Sequence, residues 1–152
     1  MYKIKKILDF FKGARIKNKR DLLLEKIMAY NFPEKEVFVS VEDFFDGNED
    51  NGSIGANIFP DPPSLKEFYD ILKEIEKKPE TENIFIRICD INDGEWFYSD
   101  TVYISGSYSS AEVKKMFLPL KPDEIYKGLM FDKTSNIPQL NIGIKEYCVW
   151  WD

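Results

Sequence analysis

Apolar side chains recur along this chain with two periods, and the switches between them mark its elements. Ile4, Ile7, Leu8 and Phe11 are spaced for one face of a helix over residues 3–12, which Gly13 stops. Residues 20–30 predict a second helix, ended by Asn31-Phe32-Pro33 because the residue before proline avoids helical backbone. Residues 36–41 alternate and are rich in β-branched side chains, as a strand requires. Residues 53–58 predict a second strand, antiparallel to the first, after the loop 46–52. Pro60, Pro62 and Pro63 break the pattern. Ser64-Leu65-Lys66-Glu67 then reads as a capping box opening a helix over 64–78, with Leu65, Phe68, Leu72 and Ile75 on one face.

Residues 83–90 predict a strand with Ile84, Ile86 and Ile88 facing one way and Phe85, Arg87 and Cys89 the other. Asn92-Asp93-Gly94 is a hairpin signal, and residues 96–104 return as the partner strand. Arg87, the one charge in its strand before Asp90, needs a carboxylate or solvent and reads as edge-facing. A second capping box, Ser109-Ser110-Ala111-Glu112, opens a helix to about Leu118, stopped by Pro119. Residues 121–128 read as a short helix, with proline near its start, acids in its first turn and glycine past its end. Residues 140–150 predict a final strand. The order helix, helix, strand, strand, helix, strand, strand, helix, helix, strand implies an α+β fold. Its sheet of about five strands is mostly antiparallel, with helices packed on one face. A chain of 152 residues is one domain's worth of sequence and buries a core without disulfides or metal.

Charge divides that domain, 1–152, into two parts. Residues 1–20 hold eight basic residues and one acid, a basic helical arm, whereas 21–152 form an acidic body that brings the net charge to −6. The arm reads as a positive helix against the acidic body or in solvent. The alternative, contact with phosphate, is disfavoured because an acidic body repels nucleic acid. Met1 to Lys6 begins basic, but Asp9, Lys12 and Gly13 interrupt the apolar run too early for a secretory signal. No stretch approaches the roughly 18 apolar residues of a membrane span. A cytoplasmic protein with neither nucleic-acid nor membrane partner is expected.

Candidate chemistry is thin. The chain has no histidine, which removes Ser-His-Asp and Cys-His mechanisms and imidazole metal sites. Cys89 and Cys148 each sit in an apolar run and read as buried thiols. Asp46-x-Asn48-x-Asp50 resembles the first half of a calcium loop, but Asn51 stands where glycine is needed and Asn57 where glutamate is needed. No phosphate-cradling glycine pattern occurs. Neither metal nor cofactor is expected, and no catalytic constellation is evident. Asp90, Asp93, Glu95 and Asp100 near Trp96 leave a carboxylate-based carbohydrate site as a minor reading.

Two intervals stand out because they lack basic residues. The first, Lys35 to Lys66, contains Glu42, Asp43, Asp46, Glu49 and Asp50. The second, Arg87 to Lys114, contains Asp90, Asp93, Glu95 and Asp100, interleaved with Trp96 and Tyr98. Acids supply steering and charge pairing, and aromatics supply anchors, so these residues are expected to bind a basic protein. The same residues also suit a solvated acidic loop and an aromatic core strand. A homo-oligomer formed through exposed aromatics is the alternative.

Residues 39–48 leading into 52–57, together with Ser99 to Ile104 followed by Pro122-Asp123-Glu124, resemble a group of small uncharacterised bacterial proteins. They are also similar to the immunity proteins that neutralise bacterial polymorphic toxins. That resemblance implies a small acidic α+β domain without enzymatic activity, inhibiting a basic toxin.

Overall fold

A computed structural model of the chain describes residues 17–152. The helix expected over 3–12, and most of the basic arm, lie outside those residues. Asn18 opens helix α1 (Lys19–Ala29), its side chain accepting a hydrogen bond from the Asp21 amide. Strand β1 (Phe38–Ser40) is only three residues long, because Ser40 caps a short helix, α2 (Val41–Phe45). The Ser40 hydroxyl accepts from the Asp43 amide at 3.0 Å. Helix α3 (Leu65–Glu76) follows, capped by Ser64. Strands β2 (Thr81–Arg87) and β3 (Thr101–Gly106) precede helix α4 (Ser110–Phe117). In α4 both halves of the capping box are made, by Ser109 and Glu112. A 3-10 turn, Leu118–Leu120, leads to strands β4 (Glu124–Lys127) and β5 (Lys145–Trp150).

Among the described residues the five strands form one sheet in the order β1-β2-β3-β5-β4, every pair antiparallel. The fold is therefore α+β, as the element order implies. Alternation along the strands separates two faces. Ile84, Ile86, Val102, Ile104 and Val149 join Leu23 and Ile27 of α1, Phe44 of α2, Phe68 and Leu72 of α3, and Val113 and Phe117 of α4 in one buried cluster. Trp151 closes it, its ring edge-on to Phe68 at 5.5 Å and its indole N–H donating to the Leu120 carbonyl at 2.7 Å. Emptying a ring-sized site in such a cluster costs about 3–5 kcal/mol. The opposite face buries Phe38, Tyr103 and Cys148 beneath Phe85, Tyr126, Phe131 and Ile137, the last two from the long β4–β5 connection.

Four expectations require correction. Residues 53–58 are not a strand paired with the first. Gly55 has a φ of +67°, outside extended backbone, and the segment makes a single parallel bridge, from Ile54 to Ser99. Residues 121–128 are not a helix but contain the edge strand β4. Lys121 turns the chain at a φ of 53°, and four residues gain more by pairing with β5 than one helical turn would supply. The final strand begins at Lys145 rather than Leu140, because Gly143 turns at a φ of +83° and leaves Ile142 fully in solvent. The return strand after the hairpin begins at Thr101 rather than Trp96. Trp96 and Phe97 are adjacent in sequence yet both buried, so strict alternation fails there.

Candidate functional site

The two acidic intervals meet at the start of α1. The first is shaped by local side-chain bonds. Beyond α2, Gly47 turns at a φ of +81° and packs so tightly that a Cβ there would lie 2.7 Å from Cβ of Lys19. Asn48 Oδ1 accepts from the Asp50 amide at 2.9 Å, and Asp50 Oδ1 accepts from the Gly52 amide at 2.8 Å. These are Asx turns, in which the side-chain acceptors shape the loop. In the second interval Gly94 turns at a φ of +76°. Arg20 of α1 reaches across to it, donating from Nε to the Glu95 carbonyl and from Nη2 to the Asn92 carbonyl, each at 2.6 Å. Its guanidinium lies 5.1 Å from the centre of the Phe97 ring. The Ser99 amide donates to the Ser53 carbonyl at 2.8 Å, joining the two intervals directly.

The expected binding residues divide by what their side chains touch. Glu42 accepts from the Tyr69 hydroxyl at 2.9 Å and lies 3.5 Å from Lys73. Asp43 pairs with Lys26 at 3.0 Å and Asp46 with Lys19 at 2.9 Å, both through exposed side chains. Such pairs contribute little to stability but hold these carboxylates to the chain's own cations. Glu49, Asp93 and Glu95 are exposed, and none has a cationic partner among the described residues. The Asp90 carboxylate accepts from the Ile91 amide at 2.8 Å. Tyr98 is half-buried, and its pKa is raised by burial first and then by Asp100.

Trp96 is not the surface anchor that sequence suggests. It is 7% exposed, edge-on to Phe97 at 5.6 Å, and part of the main cluster. Its indole N–H has no hydrogen-bond partner among the described residues. A ring so buried presents no face on which a sugar could stack, which removes the aromatic platform from the carbohydrate reading. Asp100 also leaves the expected surface, because it serves an internal network.

That network lies on the second sheet face and was only half legible in sequence. Arg87 is not edge-facing. It donates from Nε to Glu36 Oε2 at 2.9 Å and from Nη1 to Asp100 Oδ1 at 3.2 Å, with its guanidinium 4.2 Å from the centre of the Phe131 ring. Asp100 further accepts from the Cys89 thiol at 2.8 Å and the Thr101 hydroxyl at 2.7 Å. Burial opposes the charge on Arg87, but its hydrogen bond to Glu36 and its negative neighbours outweigh this and raise its pKa. Burial and then the Asp100 bond push the Cys89 thiol up to about 12. Cys89 is thus held as a thiol, a hydrogen-bond donor rather than a nucleophile. Neither cysteine forms a disulfide: both are free, Cys148 buried and Cys89 partly so. The sequence signal for the network was the isolated charge at Arg87; its partners come from separate parts of the chain.

Two grooves flank the helices. One of about 430 Å³ is lined by Glu42, Phe45, Asp46, Asn48, Leu65 and Tyr69 beside the first acidic interval. The other, about 580 Å³, runs between α3 and α4 over Ile71, Ile75, Tyr108 and Met116. Among the described residues no group of three or more His, Cys, Asp or Glu side chains is arranged to hold a metal ion. No helix among them is long and apolar enough to cross a membrane.

A sequence profile for the family described as "Uncharacterized protein YfbO family" matches residues 18–149. A relative, "Uncharacterized protein YfbO" of Escherichia coli, is 27% identical over 115 residues, covering 75% of this chain and 81% of its own. No solved structure matches the chain.

Proposed function

The chain belongs to the YfbO family, and from that premise we propose that it is a non-enzymatic binding module for a basic protein. One observation supports this above the others. The fold brings two separate acidic intervals side by side at the start of α1, where Glu49, Asp93 and Glu95 are exposed without a cationic partner among the described residues. Carboxylates that pair with neighbouring lysines are partly neutralised; these three make no such ion pair among the described residues. Juxtaposed like charges raise the local potential and speed encounter with a cationic partner. The contact is mainly electrostatic, because its expected aromatic anchor, Trp96, is in the core. The same chemistry suits an inhibitor of a toxin whose basic surface binds phosphate, the immunity-type role.

The test compares the wild-type chain with the triple charge reversal Glu49→Lys, Asp93→Lys and Glu95→Lys. Both are used as bait in lysate at low and high salt, with bound proteins identified by mass spectrometry. The expected result is a stoichiometric basic partner, held by wild type at low salt, released at high salt, and absent from the triple variant. A partner retained equally by both baits would overturn the reading. So would a wild-type bait that holds no basic protein at low salt.

A further inference from the structure

Edge strand β1 is covered over only part of its length. The Phe38 amide donates to the Asn136 side-chain oxygen, and the Phe38 carbonyl accepts from the Asn136 side-chain nitrogen, each at 2.8 Å. Both Phe38 groups therefore point away from β2. Val37, one residue earlier, points the other way, its carbonyl accepting from the Ile88 amide at 2.9 Å. Alternation along an antiparallel strand sends the Ser40 amide outward like that of Phe38. Asn136 does not reach it, and it makes no hydrogen bond among the described residues.

Ser40 lines a cavity of about 480 Å³ at this edge, within the range of about 300–1,000 Å³ usual for small-molecule sites. Its apolar wall comes from Phe38 and from Phe85, the cross-strand neighbour of Ser40. The last turn of α1 forms another wall, where Lys26 and Ala29 lie three residues apart on one helix face. Lys26 Nζ lies 3.0 Å from Asp43 Oδ2, and both residues line the cavity. The second Asp43 oxygen has no partner among the described residues. The Ser40 hydroxyl accepts from the Asp43 amide at 3.0 Å and keeps its own proton to donate. The cavity thus offers one cation, one anion, a hydroxyl and an outward backbone amide beside two aromatic rings.

We propose that this cavity binds a free aromatic α-amino acid. Its carboxylate meets Lys26 and the Ser40 amide and hydroxyl, its ammonium meets Asp43, and its ring lies against Phe38 and Phe85. The ion pair selects this class. A ligand with a single charge takes one member of the pair and leaves the other unmatched. An α-amino acid carries both charges on one carbon, close enough to meet a cation and an anion that are 3.0 Å apart. Both side chains are exposed, and exposed pairs are weak, so exchanging their bond for bonds to ligand costs little. The aromatic walls then favour a ring over an aliphatic side chain. Glu49, Asp93 and Glu95 take no part, so this site stands or falls separately from the acidic surface.

The test is a titration of the full chain with L-phenylalanine, followed by amide NMR shifts, with the Ser40 amide as the reporter. Phenylpropionate, phenethylamine and L-alanine serve as comparison probes, lacking the ammonium, the carboxylate and the ring in turn. L-Phenylalanine should saturate the Ser40 shift with a Kd of about 1 mM or tighter, and each comparison probe should bind about fivefold or more weakly. Asp43→Asn should weaken L-phenylalanine but not phenylpropionate, which has no ammonium to place. Ala29→Leu, a change that helices tolerate well, should fill the cavity and abolish binding while far-UV circular dichroism stays that of wild type. No shift of Ser40 up to about 20 mM L-phenylalanine would overturn the proposal. Equal affinity for a comparison probe, or binding that survives Ala29→Leu, would overturn it too.

Discussion

Replacing Arg87 by methionine tests the internal network most directly. The change keeps an unbranched side chain of similar length but removes the cation that faces Glu36 at 2.9 Å and Asp100 at 3.2 Å. The three side chains are 19%, 12% and 25% exposed, so both carboxylates would be left mostly out of water without their counter-charge. Breaking a fully buried pair by removing one partner costs about 3–5 kcal/mol. Residual exposure lets water recover part of that, and loss of the guanidinium from the Phe131 ring adds roughly 0.5–1 kcal/mol. The expected loss is about 3 kcal/mol. With a urea dependence of about 2 kcal/mol per molar for a domain of this size, the midpoint should fall by about 1.5 M. Tryptophan fluorescence can follow the transition, since Trp151 and Trp96 are both in the core. Adding Asp100→Asn to Arg87→Met should cost less than the two single changes summed, by about 1 kcal/mol or more, because the pair is coupled. A midpoint shift below about 0.5 M for Arg87→Met would refute the reasoning, since that is the scale of an exposed ion pair.

Three further outcomes follow from the packing and the titrations. Burial raises both thiols, Cys89 to about 12 and Cys148 to about 11, so the protonated forms favour the folded state. That stabilisation is complete below the unfolded thiol pKa of about 8.5 and is lost as pH rises through the folded values. The urea midpoint should therefore fall above pH about 9, and fall less steeply in a Cys89→Ser, Cys148→Ser variant; equal slopes would count against it. Gly55→Ala should destabilise by about 3 kcal/mol, because φ is +67° and the added Cβ would lie 2.8 Å from the Phe68 ring. A thermal melt unchanged from wild type would show that the loop can move away. Ser109→Ala should cost about 1 kcal/mol by removing the N-cap of α4, read from the urea midpoint.

Much of the fold was legible because the signals were local. The Ser64 and Ser109 caps mark where α3 and α4 begin, and an apolar face at helical spacing carries each inward. Ile84, Ile86 and Ile88 are buried on one side as alternation requires. Local signals failed where long-range pairing decided. The composition of residues 121–128 suits a helix end, yet β5 offers Glu124–Lys127 a full set of ladder partners. Ser40 reads as the end of a strand but also caps α2, a five-residue helix that β periodicity conceals. The acidic intervals were legible as composition, but their adjacency was not, because Arg20, Gly47 and the Ser53–Ser99 bond bring them together across the sequence.

By itself the sequence determined the α+β class, most of the helices and strands, the surplus of acid beyond residue 20, and the absence of any histidine chemistry. These depend on residue type and short-range spacing, which the chain carries everywhere. Only the tertiary structure decided that Trp96 is core rather than surface, that Asp100 pairs with Arg87, and that β4 stands at the edge of the sheet. Each of those outcomes depends on which distant segment arrives opposite a residue, and neither periodicity nor composition encodes that encounter.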